Sequence, residues 1–405
     1  MAQAPGGNFA NAAATPHTPE DGPDAPLPRA TPALARAATP DALEGNAAFA
    51  EKQAPRSESQ QKGAMMLDFP FKTPPASGET IAIRPGLLWA RLGLPFRLDH
   101  VNVYFIEDND GWIIVDTGID NAATRAEWTA LLEGPLKGFR FRGLLVTHHH
   151  PDHIGLAGWL CEKLSVPLMT SRTSFLSAMN FYNSPELLAA TAYSRFYTSH
   201  GMSPESAALV STQGQEYMHM LSKLPFTYRR LTAGDVLSFG GRRFHVLSGD
   251  GHSAEQLMLH LPEERLLLAA DQVIEKISPN VSVSAFEPEG NPLGAFLHSL
   301  ESLRREVDDS VLVLAGHRLP FHGLHERCTA LIAHHDERCD IIRDALQSGP
   351  KSAAQLLPAM FPHQLTPHEM SFAFTELLAH ANYLVASGGF VWQDRPDGAR
   401  LIAQA

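Results

Sequence analysis

The chain has 405 residues, enough for one large or two modest domains, and 44% hydrophobic with 19% charged residues is the balance of an ordinary globular protein. A formal net charge of −12 excludes a global positive field, which argues against DNA as a partner and disfavours RNA. No run of eighteen apolar residues is present, so no membrane-spanning helix is expected, and Cys161, Cys328 and Cys339 have no paired spacing, which points to free thiols in a reducing, cytoplasmic compartment.

Residues 1–64 are dominated by Ala, Pro, Thr and Gly without aliphatic periodicity. Such a segment cannot bury enough apolar area to offset its ordering entropy, so a disordered extension is predicted there. It lacks the charged start and apolar run of a secretory signal. Met65-Met66 stand just before the folded pattern, an equally simple place for the chain to begin.

From Ile81 the pattern turns to short β-rich runs. VNVYFIED (101–108) and GWIIVDTGI (111–119) read as a hairpin around an Asn-Asp turn, TRAEWTALLEGP as a helix, and FRGLLVTHHH as a buried strand. HIGLAGWLCEKL then has helical spacing and VPLMT is the next strand, so this β-α-β alternation predicts a layered α/β architecture. Residues 171–230 break the rhythm with helical patterns rich in aromatics and Met. They read as a helical insertion with its own small core, equally able to act as a lid whose Phe181, Tyr182, Phe196 and Tyr197 offer an apolar substrate wall.

Strands return in DVLSFGGRRFHVLSGDGHS, with a turn at Gly240-Gly241, and in EQLMLHLPEERLLLAAD, with a turn at 262–264. NPLGAFLHSLESLRRE is a helix and SVLVLAGH a buried strand ending in a histidine. The tail from 325 carries three helical patterns, the last opened by a capping box at Thr366-Pro367-His368-Glu369, and a closing hairpin. That is a small α+β, winged-helix-like C-terminal domain over 325–405. Lacking clustered Lys and Arg on its last helix, it reads as a packing or homodimerisation module.

The densest chemistry lies in VTHHHPDHIGLAGWL, where a strand gives way to a helix. His148 and His150 alternate on an extended segment and so point the same way, able to share one cation, while the turn carries Asp152 and His153 toward a second. Imidazole with carboxylate suits zinc, and also iron or manganese. His149 fills the intervening position with its side chain directed away.

This H-x-H-x-D-H run resembles the signature of the metallo-β-lactamase fold superfamily, and the resemblance extends over residues 67–324. It implies an αββα four-layer sandwich as the catalytic domain, and further ligands in order after later strands: GDGHS offers His252, LLLAADQV offers Asp271 and LVLAGH offers His317. By the resemblance, His148, His150 and His252 hold a first divalent metal, Asp152, His153 and His317 hold a second, and Asp271 bridges both. VDTG resembles the family's early motif, in which the residue matching Asp116 supports and orients a ligand.

The implied activity is metal-dependent hydrolysis by a hydroxide bridging two metal ions about 3.5–4 Å apart, with Asp152 as the residue that orients the nucleophile and moves a proton. True β-lactamases of the superfamily lack the bridging aspartate, so Asp271 weighs against that activity. The expected substrate is a small thioester or ester of the acyl-CoA or acylglutathione type, in the manner of glyoxalase II. The alternatives are an endoribonuclease of the β-lactamase-like group, a lactonase, and a redox use of iron at the same site.

Overall fold

The structure is a computed structural model that describes residues 67–184, 191–213 and 219–405. The extension expected over 1–64 lies outside the described residues.

Ile81–Arg84 (β1), Leu87–Gly93 (β2), His100–Asp108 (β3), Gly111–Val115 (β4), Phe141–Leu145 (β5), Leu168–Thr170 (β6) and Arg229–Arg230 (β7) form a seven-stranded sheet in that order. Neighbours from β1 to β4 are antiparallel, and those from β4 to β7 are parallel. Parallel neighbours need crossovers, and the helices Ala122–Glu133 (α1), Pro151–Ile154 (α2) and Ala157–Leu164 (α3) supply the first two.

Val236–Phe239 (β8), Arg242–Gly249 (β9), Gln256–Leu261 (β10), Leu266–Ala270 (β11) and Leu312–Ala315 (β12) form a second sheet, ordered β12-β11-β10-β9-β8. The β8–β9 turn uses Gly240 and Gly241 at φ 56° and 81°, the left-handed pair that a tight hairpin requires. β12 runs parallel to β11 after the crossover helix Pro292–Glu306 (α7), whose first turn Asn291 caps by accepting from Gly294 N at 2.9 Å.

The layers follow from strand alternation. β3 is buried on both faces: Val101, Val103 and Phe105 join Trp128 and Leu131 of α1 and Leu160 of α3, while Tyr104 and Ile106 join Phe244, Val246, Leu259 and Leu314 of the second sheet. The outer face of the second sheet, with Met258, Leu267 and Val313, packs on Phe296 and Leu300 of α7. The result is helix, sheet, sheet, helix: the expected four-layer sandwich.

The insertion is Arg172–Asn183 (α4), Thr191–Ser199 (α5) and Pro204–Gln213 (α6), with Tyr217 and Met218 of its aromatic set outside the described residues. It does not keep to a core of its own. Phe175 and Ala178 of α4 belong to the cluster over the first sheet, whereas Phe196, Tyr197, Ala207 and Val210 join the cluster of the C-terminal helices. Helices this short bury their apolar faces against whichever larger core adjoins them.

The tail is Leu324–Leu346 (α8), Ala353–Met360 (α9), Pro367–Ala386 (α10) and the hairpin of Phe390–Asp394 (β13) with Arg400–Gln404 (β14). The capping box forms: Thr366 Oγ1 accepts from Glu369 N at 3.2 Å and Thr366 N donates to Glu369 at 2.9 Å. Phe374, Leu377, Leu378 and Leu384 of α10 are buried in the cluster that α7 also enters. Among the described residues no helix is long and apolar enough to cross a membrane.

Candidate metal centre

Each chemically active side chain follows a strand's C-terminal end. Asp116 follows β4, the 148–153 turn follows β5, His252 follows β9, Asp271 follows β11 and His317 follows β12. Because the two sheets pack face to face, these ends meet at one edge of the sandwich. The structure brings together all seven residues that the sequence offered as ligands. Ligating atoms lie within 4.8 Å of one another in three sets: His148, His150 and His252; His148, His153 and Asp271; Asp152, His153 and His317.

Asp271 occupies the middle. Its Oδ2 lies 3.1 Å from His317 Nε2 and 3.5 Å from His252 Nε2, and its Oδ1 lies 3.5 Å from His153 Nε2. Asp152 Oδ2 is 3.3 Å from His317 Nε2 and 3.6 Å from His153 Nε2. His148 Nε2 and His150 Nδ1 approach to 3.1 Å. Gly316 is what lets the strands close this far, since a Cβ there would stand 2.2 Å from Asp271 Oδ1 and 2.8 Å from His153 Cε1.

The rings are held by their other nitrogens. His153 Nδ1 donates to Asp116 Oδ2 at 2.8 Å, His252 Nδ1 to the Asn280 carbonyl at 2.9 Å and His317 Nδ1 to the His100 carbonyl at 2.7 Å. Each donation leaves Nε2 as the nitrogen that faces the centre, the arrangement that prepares an imidazole for a metal that displaces any proton there. Thr147 Oγ1 donates to Asp116 at 2.9 Å and lies 3.0 Å from His148 Nδ1, so it receives that proton and orients His148 likewise. Thr147 N also donates to Asp116, at 2.8 Å.

Burial and charge act together here. Burial opposes the charged form of His153, yet Asp271, Asp152 and Asp116 outweigh it and hold the ring well above its ordinary pKa. The same opposition, with Asp271 the main carboxylate, leaves His317 raised to about 9. Asp271 is buried too, but His317 and His153 hold it well below the carboxylate range. His148 and His150 are depressed by burial and by neighbouring imidazoles. This is a pocket of concentrated negative charge with neutral nitrogen donors at its side.

Divalent cations fit that donor set. His153 Nε2, His252 Nε2 and Asp271 Oδ1 are buried with no hydrogen-bond partner, a costly condition that a cation relieves. Imidazole nitrogens and carboxylate oxygens are the donors zinc takes, and iron or manganese accept the same mixture.

Other expectations are met differently. His149 does not simply turn away: its Nδ1 lies 3.0 Å from Ser253 Oγ, beside His252, and its ring centroid is 6.1 Å from that of Phe181. The four residues expected as a substrate wall do not gather. Phe181 faces His149, and Tyr182 packs against the cluster over the first sheet. Phe196 and Tyr197 are buried, with Tyr197 edge-on to Phe374 of α10 at 5.8 Å, because α5 faces the C-terminal helices. Phe286 takes a place beside Phe181, at 6.0 Å and 49% exposed.

Sequence reasoning missed Thr147, His100, Asn280 and Gly316. Two of these act through backbone carbonyls, which no residue type announces. His100 is fixed in turn by Asp99 at 2.6 Å and by the Arg318 N–H at 2.8 Å.

Comparison with known proteins agrees with this geometry. The family described as "Metallo-beta-lactamase superfamily" matches residues 96–317, and "Metallo-beta-lactamase-like, C-terminal domain" matches residues 339–400. A beta-lactamase domain protein from Burkholderia ambifaria superposes with a TM-score of 0.75 at 37% identity, over 84% of this chain and 97% of that one. "Probable metallo-hydrolase YqjP" of Bacillus subtilis is 22% identical over 73% of this chain and 91% of its own length. A hydroxyacylglutathione hydrolase of Rhizobium meliloti is 24% identical over 33% of this chain and 35% of its own.

Proposed function

This chain belongs to the metallo-β-lactamase superfamily and is a metal-dependent hydrolase, and from that premise we propose that it hydrolyses a small thioester or ester of the acyl-CoA or acylglutathione type with two divalent ions bound, zinc by preference. The observation that carries the reading is Asp271, whose two oxygens reach toward His252, His317 and His153 at once. A single carboxylate between two nitrogen-donor sets suits a pair of cations. His148, His150 and His252 would hold one and Asp152, His153 and His317 the other.

When bound, two such ions would supply Lewis acidity and lower the pKa of water at the site toward neutrality. The chain's own residues do the rest. Asp152 is the more exposed carboxylate, with 20% of its side chain accessible against 7% for Asp271, so it is the one placed to hold the attacking water. It accepts the water's proton as oxygen bonds to the acyl carbon, and returns a proton to the sulfur or oxygen that leaves. Phe181, Phe286 and the His149 ring form an aromatic rim beside the centre that suits an apolar acyl portion. The likeness to a hydroxyacylglutathione hydrolase supports the same substrate class.

A release assay on metal-loaded protein tests this directly, using acyl-CoA, acylglutathione, lactone and single-stranded RNA in parallel. Turnover of a thioester with none of RNA is expected. RNA cleavage alone, steeply reduced by salt, would overturn the substrate assignment.

A further inference from the structure

Residues 271–291, between β11 and α7, contain no helix or strand, yet their first part, 271–283, is largely buried beside the centre. A buried irregular segment has no ladder of its own, so its backbone groups need partners from elsewhere. The C-terminal helices provide them. Arg327 of α8 is buried and donates from Nε to the Ile274 carbonyl at 2.6 Å and from Nη2 to the Ile277 carbonyl at 2.8 Å. His335 of α8, fully buried, lies 3.4 Å from Ser278 Oγ.

From α10, the Thr375 carbonyl accepts from Val283 N at 3.1 Å and its hydroxyl donates to Ser282 Oγ at 2.9 Å. Asn382 Nδ2 donates to the carbonyls of Pro288 and Gly290 at 3.0 and 2.8 Å. Val281 and Val283 are buried in the same apolar cluster as Phe374 and Leu378. Between the anchors at 278 and 282 stands Asn280, whose carbonyl takes the Nδ1 proton of His252.

We propose that the C-terminal domain is a positioning device for one metal ligand: Arg327 and its partners on α8 and α10 hold the 274–290 segment so that the Asn280 carbonyl fixes the tautomer and direction of His252. His153 and His317 draw on other support, from Asp116 and from the His100 carbonyl, so the effect is local to one half of the centre. Arg327 is thus a positioning residue, acting through two carbonyls and Asn280. This inference rests on the assignment of His148, His150 and His252 to one cation.

The test uses the full chain stripped with chelator and titrated with Co²⁺ alone, followed by calorimetry and by the visible absorption of the bound ion. Wild type is compared with His252→Ala, His317→Ala, Arg327→Ala and Arg327→Lys, each confirmed folded by circular dichroism. Arg327→Ala is expected to weaken by about tenfold the binding event that His252→Ala removes, and to leave the event that His317→Ala removes within about twofold. Arg327→Lys, with one donor nitrogen and the charge kept, should recover part of the loss, and it carries the comparison alone where Arg327→Ala does not fold. Both events unchanged in a folded Arg327 variant, or both weakened equally, would overturn the proposal. A wild-type chain that takes up no Co²⁺ would instead sink the metal assignment beneath it.

Discussion

Asp116 accepts the Nδ1 proton of His153 at 2.8 Å from a backbone held at φ 64°, a left-handed conformation that residues other than glycine rarely adopt. Such a conformation costs of order 1–3 kcal/mol and persists only when its surroundings over-determine it. Here they do. The Asp116 N–H donates to the Leu145 carbonyl at 2.9 Å, and its carboxylate receives Thr147 N, Thr147 Oγ1 and His153 together. The strained residue orients His153 directly and His148 through Thr147, so one side chain just after β4 aligns two ligands from the turn after β5.

Asp116→Asn keeps the shape and the carbonyl acceptor but removes the charge, and its amide nitrogen cannot accept from Thr147 or His153. Metal affinity should fall by roughly 10- to 100-fold, the usual effect of losing a partner behind a ligand. Competitive chelator titration of the variant and the parent measures it. Equal affinities would show that Asp116 has no orienting role.

Gly316→Ala tests how tightly the strand ends close. The added methyl cannot coexist with Asp271 Oδ1 at 2.2 Å, so the carboxylate or the β12 end must move. The expected result is a folded protein with reduced metal content, read by elemental analysis beside circular dichroism. Full metal occupancy in Gly316→Ala would mean that Asp271 has room the structure denies it.

The 148–153 turn was legible because its chemistry is local: alternation and one tight turn bring His148, His150, Asp152 and His153 together whatever the rest of the chain does. His252, Asp271 and His317 were legible through the family resemblance, which implies a ligand just after each later strand. What could not be read is long-range. Whether Phe196 faces a substrate or α10 depends on which helix lies against α5, and α10 lies far along the chain from it. Asn280 was invisible for another reason: its contribution is a carbonyl that every residue carries. The 271–291 segment was equally silent, since it carries neither a helical nor a strand pattern.

Stability should depend on a second group of histidines, on the C-terminal helices. His380 Nδ1 donates to the Glu376 carbonyl at 2.8 Å and its Nε2 accepts from His335 Nδ1 at 3.0 Å, so both rings are built to be neutral. Burial first, and then Arg338, bring His380 down to about 4; burial, then His380, His334 and the nearby arginines press on His335 in the same direction. A folded-state pKa below the unfolded value of about 6.5 means that the unfolded chain takes up the proton first. The contribution is therefore complete above about pH 6.5 and is lost progressively as pH falls toward 4. For His380 the full span amounts to on the order of 3 kcal/mol. His380→Gln, whose amide oxygen accepts the same proton without titrating, should show a shallower loss of Tm between pH 7 and pH 5. An identical pH profile would remove the pair from the acid response.

The aromatic rim offers the sharpest division between packing and recognition. Phe181 and Phe196 were alike in sequence, both in the insertion and both candidates for a substrate wall, but the structure separates them. Phe181 is partly buried between the His149 ring at 6.1 Å and Phe286 at 6.0 Å, next to the ligand turn. Phe196 is 7% exposed and belongs to the core shared with α10. Phe196→Ala should therefore behave as a core truncation, costing about 3–5 kcal/mol of stability with little change in kcat/KM for the molecules that remain folded. Phe181→Ala should leave Tm nearly unchanged and lower kcat/KM for a medium-chain thioester by roughly tenfold, since a buried apolar side chain contributes about 1.5–3 kcal/mol. Thermal unfolding and thioester kinetics on the two variants, at low and high salt, supply the comparison. Should Phe196→Ala lose specificity while Phe181→Ala loses only stability, the rim has been put on the wrong side of α4, and the acyl portion of the substrate must lie against α5.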